Sequence, residues 1–213
     1  MGNKTLESLD PSEVWDIFED IFCSTYRASK HEEQIRQKIK SWIKKKNQDL
    51  EGEIEIREDD AGNLLLKRPT NPDFTDCSAL MLQGHMDMVT ETNREGGFDF
   101  ENEKIPAKIE ENGEWVSADG TTLGADNGIG LAIALSILSD PDIKCGPLEM
   151  LITVDEETGL TGAFEMNVEE LAIESKYLVN VDSEDLGVIT VGSAGGGGTV
   201  FEKRFSTVSP SSI

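Results

Sequence analysis

Residues 148–157 read LEMLITVDEE, an apolar run followed at once by three acids. Leu148–Val154 has the length and composition of a buried strand, so Asp155, Glu156 and Glu157 are expected at its carboxyl end. The same arrangement recurs along the chain. Ala79–Leu82 is a short apolar strand expected to stop at Gly84, followed by His85-Met86-Asp87. Tyr177–Val181 is a strand followed by Asp182. A buried helix, apolar on all sides, is expected at about 128–139, with Gly128 and Gly130 allowing close packing and Asp126-Asn127 just ahead of it. Strands alternating with helices predict an α/β fold: a mixed, largely parallel sheet flanked by helices.

Other segments extend this frame. Asp10-Pro11-Ser12-Glu13 reads as a helix start with Asp10 as N-cap, and Val14, Ile17, Phe18, Ile21 and Phe22 follow at helical spacing. A second helix is expected from near Ser29, with Glu32 in the capping-box position, His31 in the first turn, and Ile35, Ile39, Trp42 and Ile43 as its apolar stripe. Its terminal Lys44-Lys45-Lys46 suits the negative end of the helix dipole. Residues 53–57 and Asn63–Lys67 are strands joined by a turn. Residues 98–118 form an irregular excursion with a hairpin at Asn112-Gly113. Val168–Ile173 is a short helix, and Val188–Val191 and Thr199–Phe205 are strands. Gly195–Gly198 is the one low-complexity piece, and there is no internal repeat.

Charge excludes several partners. The 213 residues carry 42 Asp and Glu against 19 Lys and Arg, a net of −23. Residues 1–70 are near balance at −3, and residues 71–213 carry −20. Nucleic acid and anionic membrane surfaces both require a basic face, so neither is expected as a partner. The longest strongly apolar stretch, Ile129–Leu138, is far short of the roughly 20 residues that span a bilayer. The N-terminus lacks the apolar core of a signal peptide. Cys23, Cys77 and Cys145 lie far apart with no CxxC, as free buried thiols of a reducing cytosol do. The location expected is cytoplasmic.

Ligands of open α/β sheets gather outside the carboxyl ends of the strands. Here those ends deliver His85, Asp87, Asp155, Glu156, Glu157 and Asp182, and the buried helix adds Asp126. Taken singly, each residue is explained as a core histidine, a cap, a turn or a solvated surface acid. Together they describe a metal site with mixed nitrogen and oxygen ligands. In an extended segment His85 and Asp87 share a face, so Asp87 can fix the imidazole tautomer. Neighbouring side chains diverge, so Glu157 can hold a metal while Glu156 serves as general base toward its water. His31-Glu32 does not begin an HExxH motif, GSAGGGG (192–198) is a poor phosphate loop because a strand pattern follows it, and no GxSxG is present.

The stretches GHMDMV (84–89), GTTLGADNGIG (120–130), LITVDEETGLTGA (151–163) and NVDSEDLGVITVGSAGG (180–196) resemble the aminoacyl-histidine dipeptidases. These Xaa-His dipeptidases, also called bacterial carnosinase or peptidase D, lie among the co-catalytic zinc aminopeptidases, carboxypeptidases and aminoacylases. The similarity runs from about Trp15 to Gly196, and DNGIG resembles the dipeptidase branch more than the DDKAG of tripeptidases. The resemblance implies that His85, Asp126 and Asp182 bind one zinc. It implies that Asp126 bridges to a second zinc also held by Glu157, with manganese or cobalt as substitutes. It further implies Glu156 as general base and proton donor, Asp87 as the partner of His85, a cis Asp126–Asn127 peptide, a small peptide as substrate, and a homodimer.

Members of that family supply the last ligand of the second zinc from a distant C-terminal histidine, and an oxyanion-stabilising histidine from a lid domain. This chain has only His31 and His85. Residues 1–195 are therefore expected as the N-terminal part of the catalytic domain, incomplete at its C-terminus. Residues 196–213 are expected as the truncated start of a lid and dimerisation domain. The alternative expectation is an inactive remnant that binds a single metal. An acidic calcium-binding protein fits less well, because no EF-hand pattern is present and calcium gives His85 no role.

Overall fold

The computed structural model describes residues 4–50, 52–183, 187–192, 195 and 199–205. The chain divides into two units, Met1–Ser183 and Glu184–Ile213.

The first unit is built on a five-stranded sheet. Its strands are β1 (Glu55–Glu58), β2 (Leu64–Arg68), β3 (Leu80–His85), β6 (Leu148–Thr153) and β7 (Tyr177–Asn180), in the order β1-β2-β6-β3-β7. The β3, β6 and β7 strands run parallel, and β1 and β2 continue the sheet antiparallel. Strands β4 (Ala107–Ile109) and β5 (Val116–Ala118) make the expected separate hairpin. The mixed α/β architecture read from the sequence is therefore present.

Period-two alternation sorts the sheet into two faces. Leu64, Leu66, Leu82, Met150 and Ile152 enter the main core. There they meet α1 (Ser12–Ile17) with its π-helical continuation Phe18–Phe22, α2 (Glu33–Lys46) and α3 (Ala125–Ser139). Leu65, Met81 and Leu151 face the other way, onto Leu171 of α6 (Val168–Leu171). Two further short helices, α4 (Glu156–Gly159) and α5 (Thr161–Phe164), follow β6.

Several local expectations are corrected. Strand β3 does not stop at Gly84 but runs through it to His85. A Cβ on Gly84 would collide with the Asn127 amide and come within 2.9 Å of Leu131, so this glycine admits α3 rather than ending the strand. The first helix starts after Pro11, not Asp10, with no side-chain cap. Helix α2 begins at Glu33, which leaves His31 exposed in the preceding loop and gives Glu32 a different partner. Helix α3 is buried on most sides, but Ile133 is exposed. All three cysteines are free thiols, yet only Cys23 is buried, where desolvation pushes its thiol up to about 12.

In the second unit, residues 188–191 and 199–205 carry no strand and are exposed. β-Branched and aromatic residues supplied strand propensity there, but strands need a hydrogen-bonding neighbour, and none pairs with them among the described residues. The glycine run lies outside the described residues except for Gly195. No helix among the described residues is long and apolar enough to cross a membrane.

Candidate metal centre

The carboxyl ends of β3 and β6, the start of α3 and the segment after β7 meet at one edge of the sheet. His85, the last residue of β3, is 1 % exposed. Its Nδ1 stands 3.2 Å from Asp87 Oδ1, and its Nε2 stands 2.8 Å from Asp126 Oδ1 and 3.6 Å from Asp182 Oδ2. One ring nitrogen is thus committed to Asp87 while the other faces two carboxylates. A neutral imidazole lone pair cannot face a carboxylate that closely unless a proton or a cation lies between them. With a proton there, burial opposes the charge. The hydrogen bond and charge of Asp87, the hydrogen bond of Asp126 and the charge of Asp182 outweigh that and raise the imidazole to about 9.

A dication fits the same position. The ligand atoms of His85, Asp126 and Glu157 all lie within 4.8 Å of one another. One imidazole nitrogen with carboxylate oxygens is the donor set of zinc and similar divalent ions. Asp126 is open to solvent with its side chain 58 % exposed, and Asp182 is partly so, leaving the centre accessible from outside.

The surroundings hold this set in place. Asp87 is fully buried, and both its oxygens are occupied. Oδ1 accepts the Glu156 N–H at 3.0 Å and faces His85, while Oδ2 accepts the Ser29 hydroxyl at 2.7 Å and the Glu157 N–H at 3.2 Å. Burial opposes its charge, but the His85, Glu156 and Ser29 bonds hold its carboxyl down at about 2. One side chain therefore orients the imidazole and grips the backbone of both glutamates. The Asp126–Asn127 peptide is cis, as the resemblance implies. The Asn127 side chain donates to Val181 O at 3.1 Å and to Asp182 Oδ1 at 3.3 Å, tying the start of α3 to the segment after β7.

Glu156 and Glu157 follow the carboxyl end of β6, as expected, but in a helical turn. Asp155 turns left-handed (φ 48°), and the two glutamates open α4. Glu157 still joins His85 and Asp126, and Glu156 lines a small pocket of about 140 Å³ with Gln83, Thr153, Leu160, Asn180 and Asp182. Burial raises both carboxyl groups; His85 opposes it, and the neighbouring carboxylates add to it. A roomier cleft of about 620 Å³ lies by Tyr26, Lys30, His31, Glu32, Arg36 and Asp155, and is lined by none of His85, Asp87, Asp126, Glu156, Glu157 or Asp182.

Glu32, Asp87 and Asp155 also gather carboxylate oxygens within 4.8 Å. All three are already engaged by the chain itself. Glu32 Oε1 accepts the N–H groups of Lys30 and Asp155, both at 2.9 Å, and Asp155 accepts the hydroxyls of Thr158 and Thr161.

All six residues singled out in the sequence (His85, Asp87, Asp126, Glu156, Glu157 and Asp182) are brought to this edge. Ser29, Glu32, Asn127 and a buried Arg27 were not foreseen. Asn127 was legible as the neighbour of Asp126. Ser29 and Glu32 carried a helix-start pattern that pointed to a local role, and Arg27 carried none.

Residues 81–194 match the model of peptidase family M20/M25/M40. The chain is 42% identical over 191 residues to the cytosol non-specific dipeptidase of Escherichia coli (strain K12), covering 90% of this chain and 37% of that protein. The solved aminoacylhistidine dipeptidase of Vibrio alginolyticus superposes with a TM-score of 0.77 at 40% identity, over 87% of this chain and 36% of that one. Aminopeptidase PepT from Bacillus cereus superposes with a TM-score of 0.61 at 29% identity, over 81% and 43%. The chain spans 36–43% of the length of these relatives. The matched segment is more than half of the sequence and holds every residue of the sheet-edge cluster from His85 to Asp182, so the chain belongs to peptidase family M20/M25/M40.

Proposed function

We propose that this chain carries the reactive edge of a metal-dependent dipeptidase acting on short peptides, Xaa-His dipeptides foremost. The observation that supports this best is the approach of His85 Nε2 to the carboxylates of Asp126 and Asp182, with Glu157 beside them. His85, Asp126 and Asp182 would hold one zinc, and Asp126 and Glu157 would contribute to a second, with manganese or cobalt as substitutes. Bound there, the ions supply Lewis acidity, which polarises the scissile carbonyl and brings the pKa of water toward neutrality.

The protein's own groups do the rest. Glu156 accepts a proton from the attacking water at its carboxylate and returns it to the departing amine nitrogen. Asp87 keeps the imidazole in one tautomer and, through the two amides it accepts from, fixes where Glu156 and Glu157 begin. Asn127 fixes Asp182. Residues 1–195 make the catalytic piece, and 196–213 lead into a lid and dimerisation region. The protein works in the cytoplasm, in keeping with the name of its Escherichia coli relative, and as the homodimer that the resemblance implies.

The test is hydrolysis of β-Ala-His and other Xaa-His dipeptides by the purified chain with added zinc or manganese, beside Glu156→Ala. Turnover is expected to fall at least about a hundredfold in the variant with metal content unchanged. Equal turnover in the variant removes Glu156 from its role. A folded chain that neither binds metal nor cleaves any dipeptide overturns the proposal.

A further inference from the structure

Arg27 is the largest of the fully buried side chains. It makes no salt bridge among the described residues; its donors go to backbone carbonyls. Nε donates to Phe22 O at 3.2 Å, Nη1 to Met86 O at 3.2 Å and Asp87 O at 3.1 Å, and Nη2 to Gly124 O. The Met88 N–H returns a bond to Arg27 O at 3.0 Å. The guanidinium also lies over the Phe22 ring, 5.4 Å from its centroid.

These carbonyls belong to three separate segments. Phe22 ends the first helical stretch, Met86 and Asp87 directly follow His85, and Gly124 lies two residues before Asp126. The site makes room for the fork. A Cβ on Gly124 would collide with Nη2, and one on Gly128 would come within 2.8 Å of it. Two glycines of the GADNGIG stretch therefore serve a side chain about a hundred residues earlier. A buried cation with nothing but carbonyls at its donors is costly unless each bond is well made. Only a planar fork can hold three segments at fixed angles, and a lysine would contact them as a single point.

We infer that Arg27 is a positioning residue of the metal centre: its fork ties the segment just after His85, at Met86 and Asp87, to Gly124 just before the start of α3 and Asp126, and so sets the spacing of the ligands. The inference rests on the metal-centre reading proposed above.

The test uses Co²⁺ as the probe and Arg68 as the control. Arg68 is also buried and also donates to carbonyls, those of Ile137, Leu138 and Ile143. Ile137 and Leu138 sit in the last turn of α3 and Ile143 just past it, at the end of the helix away from the centre. In the full chain, Arg27→Met is expected to weaken Co²⁺ binding about tenfold or more and to change the visible absorption of the bound ion. Amide exchange at 86–88 and 124–128 should accelerate in the metal-free variant. Arg27→Lys keeps the charge without the fork and should remain several-fold weaker than wild type. Arg68→Met should lose stability but bind Co²⁺ normally.

Wild-type affinity and spectrum in both Arg27 variants would overturn the inference, as would an equal loss in Arg68→Met. If the wild-type chain takes up no Co²⁺, the metal-centre reading fails by itself. Exchange then decides the tether: acceleration confined to those two segments in Arg27→Met upholds it, and unchanged exchange refutes it.

Discussion

Both oxygens of the Asp87 carboxylate are occupied, by an imidazole, a hydroxyl and two amides. Asp87→Asn is nearly isosteric, but its amide nitrogen can accept none of these bonds. The imidazole loses its orientation, and one end of the α4 turn loses its anchor. Zinc affinity, measured by competition with a chromophoric chelator, is expected to fall about ten- to a hundredfold. Unchanged affinity would leave Asp87 as a packing residue. The spacing His85-x-Asp87 made this pair legible in the sequence, even though β3 ends at His85 and the contact is made by the turn beyond it. Glu32 was misread for the opposite reason. Its neighbours suggested a local capping box, whereas its carboxylate holds the Asp155 amide 123 residues away. Arg27 gave no signal at all, since a lone arginine in a polar loop looks the same whether buried or exposed.

Among the elements, β6 matters most, because it carries the acid run and pairs with both β2 and β3. Every residue of it is buried, including Glu149. That carboxylate accepts the Glu174 and Ser175 N–H groups and the Ser175 hydroxyl, and it pairs with Lys67 at 3.2 Å. It thereby fixes the segment that leads into β7 and, beyond it, Asp182. Burial opposes the charge of Glu149, but the Ser175 and Glu174 bonds and Lys67 overcome that and lower its pKa. A carboxyl lowered in the folded state adds stability above its unfolded value, about 4.3, and this is lost as the pH falls through the folded value. Glu149→Gln should therefore cost about 1–3 kcal/mol at pH 7 by urea unfolding. The gap from wild type should narrow in acid below about pH 4; a gap that ignores pH would contradict the assignment. The strands around β6 were legible because their apolar runs are short and dense. Residues 188–191 and 199–205 had strand-favouring residues but no partner among the described residues, which composition alone cannot detect.

At the scale of the whole molecule, the charge profile and the fold agree. The acidic excess of residues 71–213 includes the cluster at the sheet edge, where the carboxylates of Asp87, Asp126, Glu157 and Asp182 surround one histidine. Most of that cluster was readable because an α/β sheet delivers its strand ends to one side, so residues scattered over a hundred positions could be placed together. The second acidic group, Glu32–Asp87–Asp155, was not foreseen, since it depends on the loop before α2 folding over the centre. Its carboxylates are taken up by the chain's own N–H and hydroxyl groups, so no ion is expected there. Anomalous diffraction from crystals of the chain grown with zinc separates the two most directly. A peak in contact with His85 Nε2 and the carboxylates of Asp126 and Asp182 is the expected result. A peak at Glu32, Asp87 and Asp155, or none at the sheet edge, would contradict the metal centre.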